Sequence, residues 1–191
     1  KRNGVILSGG MVTRTQPINL VLNQPSWQRS RLIAERINER FGKMPGDKFD
    51  TANAKTDMTI EIHVPRRYAN RPQELMELIT HLYIQRSPTF EPEQARLLGQ
   101  VVTADPSYAR SVSLAWEALG KTALPVIRQY YGHKDARVNL AALRAGVKLN
   151  DVVTINHLVT LARHTDPAVR RDAGLMLVDL PGNTTILRTL D

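Results

Sequence analysis

The second half of the chain repeats about every 30 residues, and this repetition constrains the fold more than any other feature. Three segments align on the aspartates Asp105, Asp135 and Asp166, which lie 30 and 31 residues apart. At offsets 3, 7, 10 and 14 from each aspartate the residues are apolar, and these offsets follow one face of a helix. The aspartates are therefore predicted to cap three helix N-termini, where a carboxylate accepts hydrogen bonds from free amides.

A second helix is predicted ahead of each aspartate. Leu97, Ile127 and Leu158 each stand eight residues before the aspartate of their own segment. Each unit is thus expected to be a helix pair of about 30 residues. Because a single pair cannot bury its apolar face alone, neighbouring pairs are expected to stack on one another.

These segments resemble the short HEAT-like repeat, whose second helix carries the motif Asp-Pro-x-Val-Arg-x-x-Ala. The last segment fills the motif with Asp166, Pro167, Val169, Arg170 and Ala173. The middle segment departs from it with Asn139 in the arginine position, and the first departs with Tyr108 and Ala109. The resemblance implies an α-solenoid of about three helix pairs that serves as a scaffold or protein-docking surface. The fold alone names no partner.

The first half alternates strand and helix signals. Apolar residues recur with a period of two over 17–22 and 58–64, which predicts two half-buried strands. Helical spacing predicts helices over 27–41 and 71–85. The polar stretch 43–56, with its Pro and Gly, is predicted to be a surface loop.

A domain boundary is predicted near residue 88, where Ser-Pro-Thr-Phe-Glu-Pro interrupts both patterns. The predicted fold class is α+β. Residues 1–88 form a small strand-helix-strand-helix domain in this interpretation, and residues 89–191 form the α-helical repeat domain.

The first predicted helix is amphipathic. Its apolar residues are expected to form one buried stripe, made of Trp27, Leu32, Ile33, Ile37 and Phe41. Ser26 is expected to cap its N-terminus and Gly42 to end it.

The chain carries a net charge of +8, concentrated in its first half. Residues 1–88 hold 14 Lys and Arg against 8 Asp and Glu, and residues 89–191 hold 12 against 10. Seven arginines are candidates for an anion- or partner-binding face: Arg29, Arg31, Arg36, Arg40, Arg66, Arg67 and Arg71. Glu35 and Glu39 interleave the first four, so a solvated helix with local ion pairs is an equal alternative.

Enzymatic function is not expected, because no catalytic constellation is present. The chain has no cysteine, which excludes disulfides and thiol catalysis, and its five histidines lack metal-ligand spacing. His133 and His164 each precede a repeat aspartate by two residues, so structural roles are expected for them. No cofactor or metal is expected, and no apolar run approaches the ~20 residues that span a bilayer.

Residues 8–88 resemble an internal stretch of the flagellar P-ring protein. The residue pairs that carry the resemblance are Ile33-Ala34, Ile37-Asn38 and Phe41-Gly42, with the strand that ends at Pro65. The turn Gln24-Pro-Ser-Trp27 departs from the commoner version, and the helical repeats replace the β structure with which the family would continue. The resemblance implies a periplasmic ring subunit that surrounds the flagellar rod, contacts the cell wall and performs no turnover.

Two other functions stay open at this stage. The chain could be a generic HEAT-type adaptor in the same compartment, or a nucleic-acid-binding module in which basic residues hold phosphates. Nucleic acid is the less expected partner. Since the sequence begins at Lys1 rather than Met, an export signal is expected to have been removed or to lie outside it.

Overall fold

The computed structural model describes residues 18–85, 87 and 89–180 of the chain. The chain divides into two compact units, Lys1–Asn70 and Arg71–Asp191. The fold is α+β, with a small antiparallel sheet in the first unit and helices throughout the second. This division follows residue 70 in the chain, whereas the sequence pattern predicts a boundary near residue 88.

The first unit is built on a three-stranded antiparallel sheet. Its strands are β1 (Ile18–Val21), β2 (Ala52–Ala54) and β3 (Thr59–Ile62), in the spatial order β1-β3-β2. Leu20 lies opposite Ile60 in the β1–β3 pairing. Ile60 and Ile62 are fully buried, because the alternating side chains of the central strand face the helix-covered core. The strands predicted near 17–22 and 58–64 are thereby confirmed for the described residues.

Strand β2 was not predicted, since it lies inside the stretch expected to be a loop. Its sequence, Ala-Asn-Ala, has neither the β-branched residues nor the apolar alternation that indicate a strand. Tertiary pairing forms it instead: Asn53 lies opposite Glu61, and the amide of His63 donates to the carbonyl oxygen of Thr51. Over residues 18–70, the first unit therefore has one more strand than the sequence pattern indicates.

Helix α1 (Trp27–Arg40) covers the sheet. The Ser26 hydroxyl accepts a hydrogen bond from the Arg29 amide, so the cap forms at the expected residue. The expected buried stripe is partly wrong, however. Ile37 and Phe41 are buried, but Trp27 is 51% exposed and Leu32 is 45% exposed.

The small residues of α1 explain this difference. Ser30 and Ala34 are buried beside Ile37, so the helix presents this narrow face to the sheet. The Ser30 hydroxyl donates to the carbonyl oxygen of Thr56. A three-stranded sheet covers only part of a helix, and Trp27 and Leu32 lie outside that part.

The second unit consists of helices. They are α2 (Pro72–Thr80), α3 (Phe90–Ala104), α4 (Ala109–Leu119), α5 (Leu124–Ile127), α6 (Ala136–Lys148), α7 (Thr154–Leu161) and α8 (Pro167–Val178). One 3-10 turn precedes α4, and one lies on each side of α5. Another 3-10 turn, Arg66–Tyr68, lies near the end of the first unit. Helix α2 ends at Thr80, five residues before the predicted end at 85, and it packs within this second unit.

One aliphatic and aromatic core runs through the second unit. Trp116 and Tyr131 are its largest buried side chains, and the Trp116 indole donates to the carbonyl oxygen of Ala95. Both rings are therefore core residues and are not a surface on which bases could stack. Gly146 lies against the Tyr131 hydroxyl, where the absence of a side chain makes room for the ring.

Candidate functional site

The seven candidate arginines do not form one set. Six lie in the first unit, and Arg71 lies in the second, where its guanidinium pairs with Glu74 at 3.1 Å. Of those in the first unit, four are exposed: Arg29, Arg31, Arg66 and Arg67. Arg36 is only 8% exposed, and its guanidinium lies 3.2 Å from the Glu39 carboxylate. A buried, paired arginine cannot contribute to an open binding face.

Arg40 and Arg67 converge on one aromatic ring. Their guanidinium carbons lie 5.5 and 5.9 Å from the centroid of Phe41, which is fully buried. The Tyr68 ring meets Phe41 edge-on at 5.9 Å, and Arg67 also lies over Tyr68 at 5.3 Å. Cation–π contacts of this kind fix the arginine stems against the core. These two residues therefore stabilise the unit at the end of α1.

Arg66 is tied to the loop that follows α1. Its backbone amide donates to one carboxylate oxygen of Asp47 at 3.1 Å, and the Met44 amide donates to the other at 3.0 Å. These two hydrogen bonds, with the nearby arginine charges, lower the pKa of Asp47 below its ordinary value. Gly46, with a φ of +92°, lets the loop turn beneath the Arg66 guanidinium.

Asn38 binds the outer edge of β2. Its side-chain amide donates to the carbonyl oxygen of Ala52 at 2.8 Å, and its carbonyl oxygen accepts from the Ala52 amide at 2.7 Å. These two hydrogen bonds satisfy the backbone groups that an adjacent strand would otherwise bind. They protect the exposed edge of β2, which is only three residues long. Asn38 lies on the motif that carries the P-ring resemblance, but the sequence alone does not indicate this role.

Replacing Asn38 with aspartate is expected to loosen β2. The carboxylate can still accept from Ala52 but cannot donate to its carbonyl oxygen, so one hydrogen bond is lost and two oxygens oppose each other, at a cost of about 1–3 kcal/mol. Hydrogen exchange of the Ala52 and Asn53 amides should accelerate. Asn53→Ala, an exposed change in the same strand, serves as the control. Equal exchange in wild type and Asn38→Asp would contradict this role.

The three repeat aspartates occupy equivalent positions in the structure. The carboxylates of Asp105, Asp135 and Asp166 accept hydrogen bonds from the amides two residues on, at 2.9, 2.9 and 2.8 Å. Asp135 and Asp166 stand at the N-termini of α6 and α8, whereas Asp105 begins the 3-10 turn ahead of α4.

Two histidines also occupy equivalent positions, one ahead of α6 and one ahead of α8. The backbone amides of Asp135 and Asp166 donate to the Nδ1 atoms of His133 and His164, at 3.1 and 3.0 Å. Because Nδ1 accepts in both cases, each ring carries its proton on Nε2 when neutral. These contacts shape the turn ahead of each cap. No cluster of three potential metal ligands exists in the described parts of the chain.

A buried cluster around Asp151 is the strongest polar feature that sequence reasoning missed. The Asp151 carboxylate is 1% exposed and accepts two hydrogen bonds from the Arg128 guanidinium, both at 2.8 Å. The Tyr131 hydroxyl and the Val153 amide donate to it as well, at 3.0 and 3.2 Å. Burial raises the pKa of Tyr131, and Asp151 adds to that increase. The only sequence signal is an Asn-Asp pair after α6, where Asn150 takes a positive φ of 59°.

A groove of about 770 Å³ lies along α2, α4, α6 and α8 within the second unit. Ion pairs join these helices, with Arg110 and Glu77 2.7 Å apart and Lys148 3.2 Å from both Glu74 and Asp179. The charged side chains that line the groove are Arg71, Arg110, Arg144, Lys148, Glu74, Glu77, Glu117, Asp172 and Asp179. Acidic groups thus outnumber basic ones, in contrast to the chain as a whole.

The described helices include none with the length and hydropathy needed to cross a bilayer. No curated protein and no solved structure matches the chain. The helical repeats after residue 92 lie outside the matched residues given below, so their HEAT resemblance stays a prediction. Residues 2–92 match the family model of the flagellar P-ring protein, which confirms the expected resemblance and makes the first half of the chain similar to that family.

Proposed function

We propose that this chain is a structural subunit of an assembly like the flagellar P ring. The family match over residues 2–92 carries this proposal. The matched part includes the sheet and α1, and the contacts of Asn38, Phe41 and Asp47 give its side chains packing roles rather than catalytic ones. In this role the chain performs no turnover and binds no cofactor.

The location and partners follow from the same similarity. The chain assembles around the rod in the periplasm, with itself or with other envelope proteins, and contacts the cell wall. Residues 1–88 supply the P-ring-like part, and residues 89–191 supply HEAT-like repeats that dock a protein. The groove of the second unit supports protein rather than nucleic acid as the ligand, because its acidic side chains outnumber its basic ones.

Deletion of the gene tests this proposal. Electron cryotomography of the deletion strain should show the rod without its periplasmic ring, and swimming should be lost. Complementation with Arg66→Glu should restore the ring less well than wild type, because this exposed arginine belongs to the proposed partner-binding face and is not packed on the Phe41 ring. Arg171→Glu, in the second unit, is the matched control, since its side chain is 75% exposed and lies outside the basic set.

A HEAT-type adaptor unrelated to flagella is the second candidate. The equivalent cap geometry of Asp105, Asp135 and Asp166 favours it, because regular helix pairs are typical of binding scaffolds. An intact ring and normal swimming in the deletion strain would overturn the ring proposal and leave this candidate.

A further inference from the structure

The groove of the second unit leaves apolar side chains of α8 in solvent. Leu175 is 62% exposed and Val178 is 60% exposed, and both line the groove. Val169 and Met176 of the same helix are buried, so α8 already has a separate face that packs on the core. Large aliphatic side chains that stay exposed inside a concave surface favour the binding of another apolar surface there.

The groove is built from the same face of three successive helices. Positions nine and twelve residues after each repeat aspartate line it: Leu114, Glu117, Arg144, Val147, Leu175 and Val178. Residues three apart share a helix face, and α6 packs against both α4 and α8, so the three faces form one surface. Packed helices lie about 8–10 Å apart, so this surface extends roughly 20 Å from α4 to α8.

The charges of the groove are arranged to receive cations. All four of its basic side chains already pair with its own carboxylates: Arg71, Arg110, Arg144 and Lys148. Oε1 of Glu77 and Oδ1 of Asp179 accept no hydrogen bond from the residues that the structure describes, and these side chains are 31% and 53% exposed. Each carboxylate can therefore accept a further hydrogen bond from a lysine or arginine of a partner.

We propose that this groove binds a cationic amphipathic helix of a partner protein. The apolar side chains of that helix pack on Leu175 and Val178, and its lysines or arginines donate to Glu77 and Asp179. A helix of about 14 residues is roughly 21 Å long, which matches the extent of the groove from α4 to α8. Recognition of an amphipathic helix in a groove is a common mode of peptide binding. The proposal rests on the docking role proposed for the second unit and adds the chemistry of the docked segment.

Fluorescence anisotropy with the full chain tests this proposal. The probe is a labelled helical peptide of leucine and lysine, about 14 residues long, and its counterpart has glutamate in place of lysine. Wild type should bind the Leu/Lys peptide, although the chain itself carries a charge of +8, and should bind the Leu/Glu peptide at least about tenfold more weakly.

Variants of the groove locate the binding. Leu175→Ser combined with Val178→Ser should weaken binding of the Leu/Lys peptide about tenfold, because the apolar contact is lost. Asp179→Asn should weaken it about threefold at low salt and less at high salt, where the charge is screened. Leu97→Ser is the matched control, since Leu97 is a 49% exposed leucine on α3 outside the groove, and it should bind as wild type does. Circular dichroism melting checks that each variant keeps its fold.

Three results would overturn the proposal: no binding of the Leu/Lys peptide by wild type, equal binding of the Leu/Glu peptide, or the same loss in Leu97→Ser as in the Leu175→Ser/Val178→Ser variant. The ring is tested separately in the deletion strain. A chain that binds neither peptide, but whose deletion removes the ring, overturns the groove proposal alone. A chain that binds the Leu/Lys peptide in the groove, but whose deletion leaves the ring intact, overturns the ring proposal alone.

Discussion

Replacing Gly146 with alanine is expected to lower the free energy of unfolding of the second unit by about 3 kcal/mol. A Cβ at this position would lie 1.9 Å from the Tyr131 hydroxyl oxygen and 2.6 Å from Cγ2 of Thr154. The ring cannot move aside cheaply, because Tyr131 is buried and its hydroxyl donates to Asp151. The methyl group therefore forces the backbone of α6 and the ring apart.

Urea unfolding followed by tryptophan fluorescence measures this effect. The chain has two tryptophans, and Trp27→Phe leaves Trp116 as the reporter of the second unit. Gly174→Ala in α8 is the matched control, since nothing lies within 4 Å of its added Cβ. Alanine is the better helix former, so this control should stabilise the unit by about 1 kcal/mol. Equal stabilities of the two variants would contradict the close packing at Gly146.

A double-mutant cycle identifies the group that causes the loss. Tyr131→Phe removes the oxygen atom nearest to the added methyl group, although the ring carbon Cζ at 2.8 Å remains. The cost of Gly146→Ala should therefore be smaller in the Tyr131→Phe background than in wild type. An unchanged cost would assign the strain to Thr154 and the remaining ring carbon rather than to the hydroxyl oxygen.

Much of the fold could be predicted because it is encoded locally. Ile60 and Ile62 alternate with polar residues and form the central strand, and Ser26 precedes α1 as a cap. Strand β2 could not be predicted, since the side chain of Asn38, 14 residues away, closes its edge. The exposure of Trp27 and Leu32 depends on how much of α1 the sheet covers, and a helical period does not contain that information.

The features of the candidate site likewise divide into those encoded by neighbouring residues and those that depend on contacts between distant residues. The cap geometry at Asp135 depends on the two residues that follow it. The pairing of Arg128 with Asp151 joins residues 23 apart, across a 3-10 turn and α6. Nothing in the repeat pattern marks Asp151, because it lies after the helix rather than at a recurrent position. The exposure of Arg29 and Arg31, and the burial of Arg36, likewise required the packing of α1 to be known.

Replacing Asp151 with alanine is expected to destabilise the second unit by about 3 kcal/mol. The change removes the acceptor of the Tyr131 hydroxyl, which is then buried without a partner. It also breaks a bidentate ion pair. Because the Arg128 side chain is 45% exposed and can be hydrated, the loss of stability falls at the lower end of the range for buried ion pairs. Trp116 fluorescence in urea reports the change.

Asp172→Asn is the control for an ordinary ion pair. Asp172 lies 3.8 Å from Arg144, and both side chains are substantially exposed. Surface pairs contribute about 0–1 kcal/mol, so this variant should unfold close to wild type. If Asp151→Ala were no more destabilising than Asp172→Asn, the buried cluster would not hold the turn between α6 and α7.

The dependence on pH separates the charge of Asp151 from its packing. Burial opposes ionisation of this carboxyl, but the hydrogen bonds from Arg128, Val153 and Tyr131 outweigh it, so its pKa lies below the ordinary value. The stabilisation is therefore complete above the unfolded pKa of about 3.9 and is lost as the pH falls through the lower folded pKa. Asp151→Asn keeps the volume and lacks the charge, so its deficit relative to wild type should shrink as the pH falls below about 4. A deficit that stays constant on acidification would mean that packing, rather than the ionised carboxylate, stabilises the cluster.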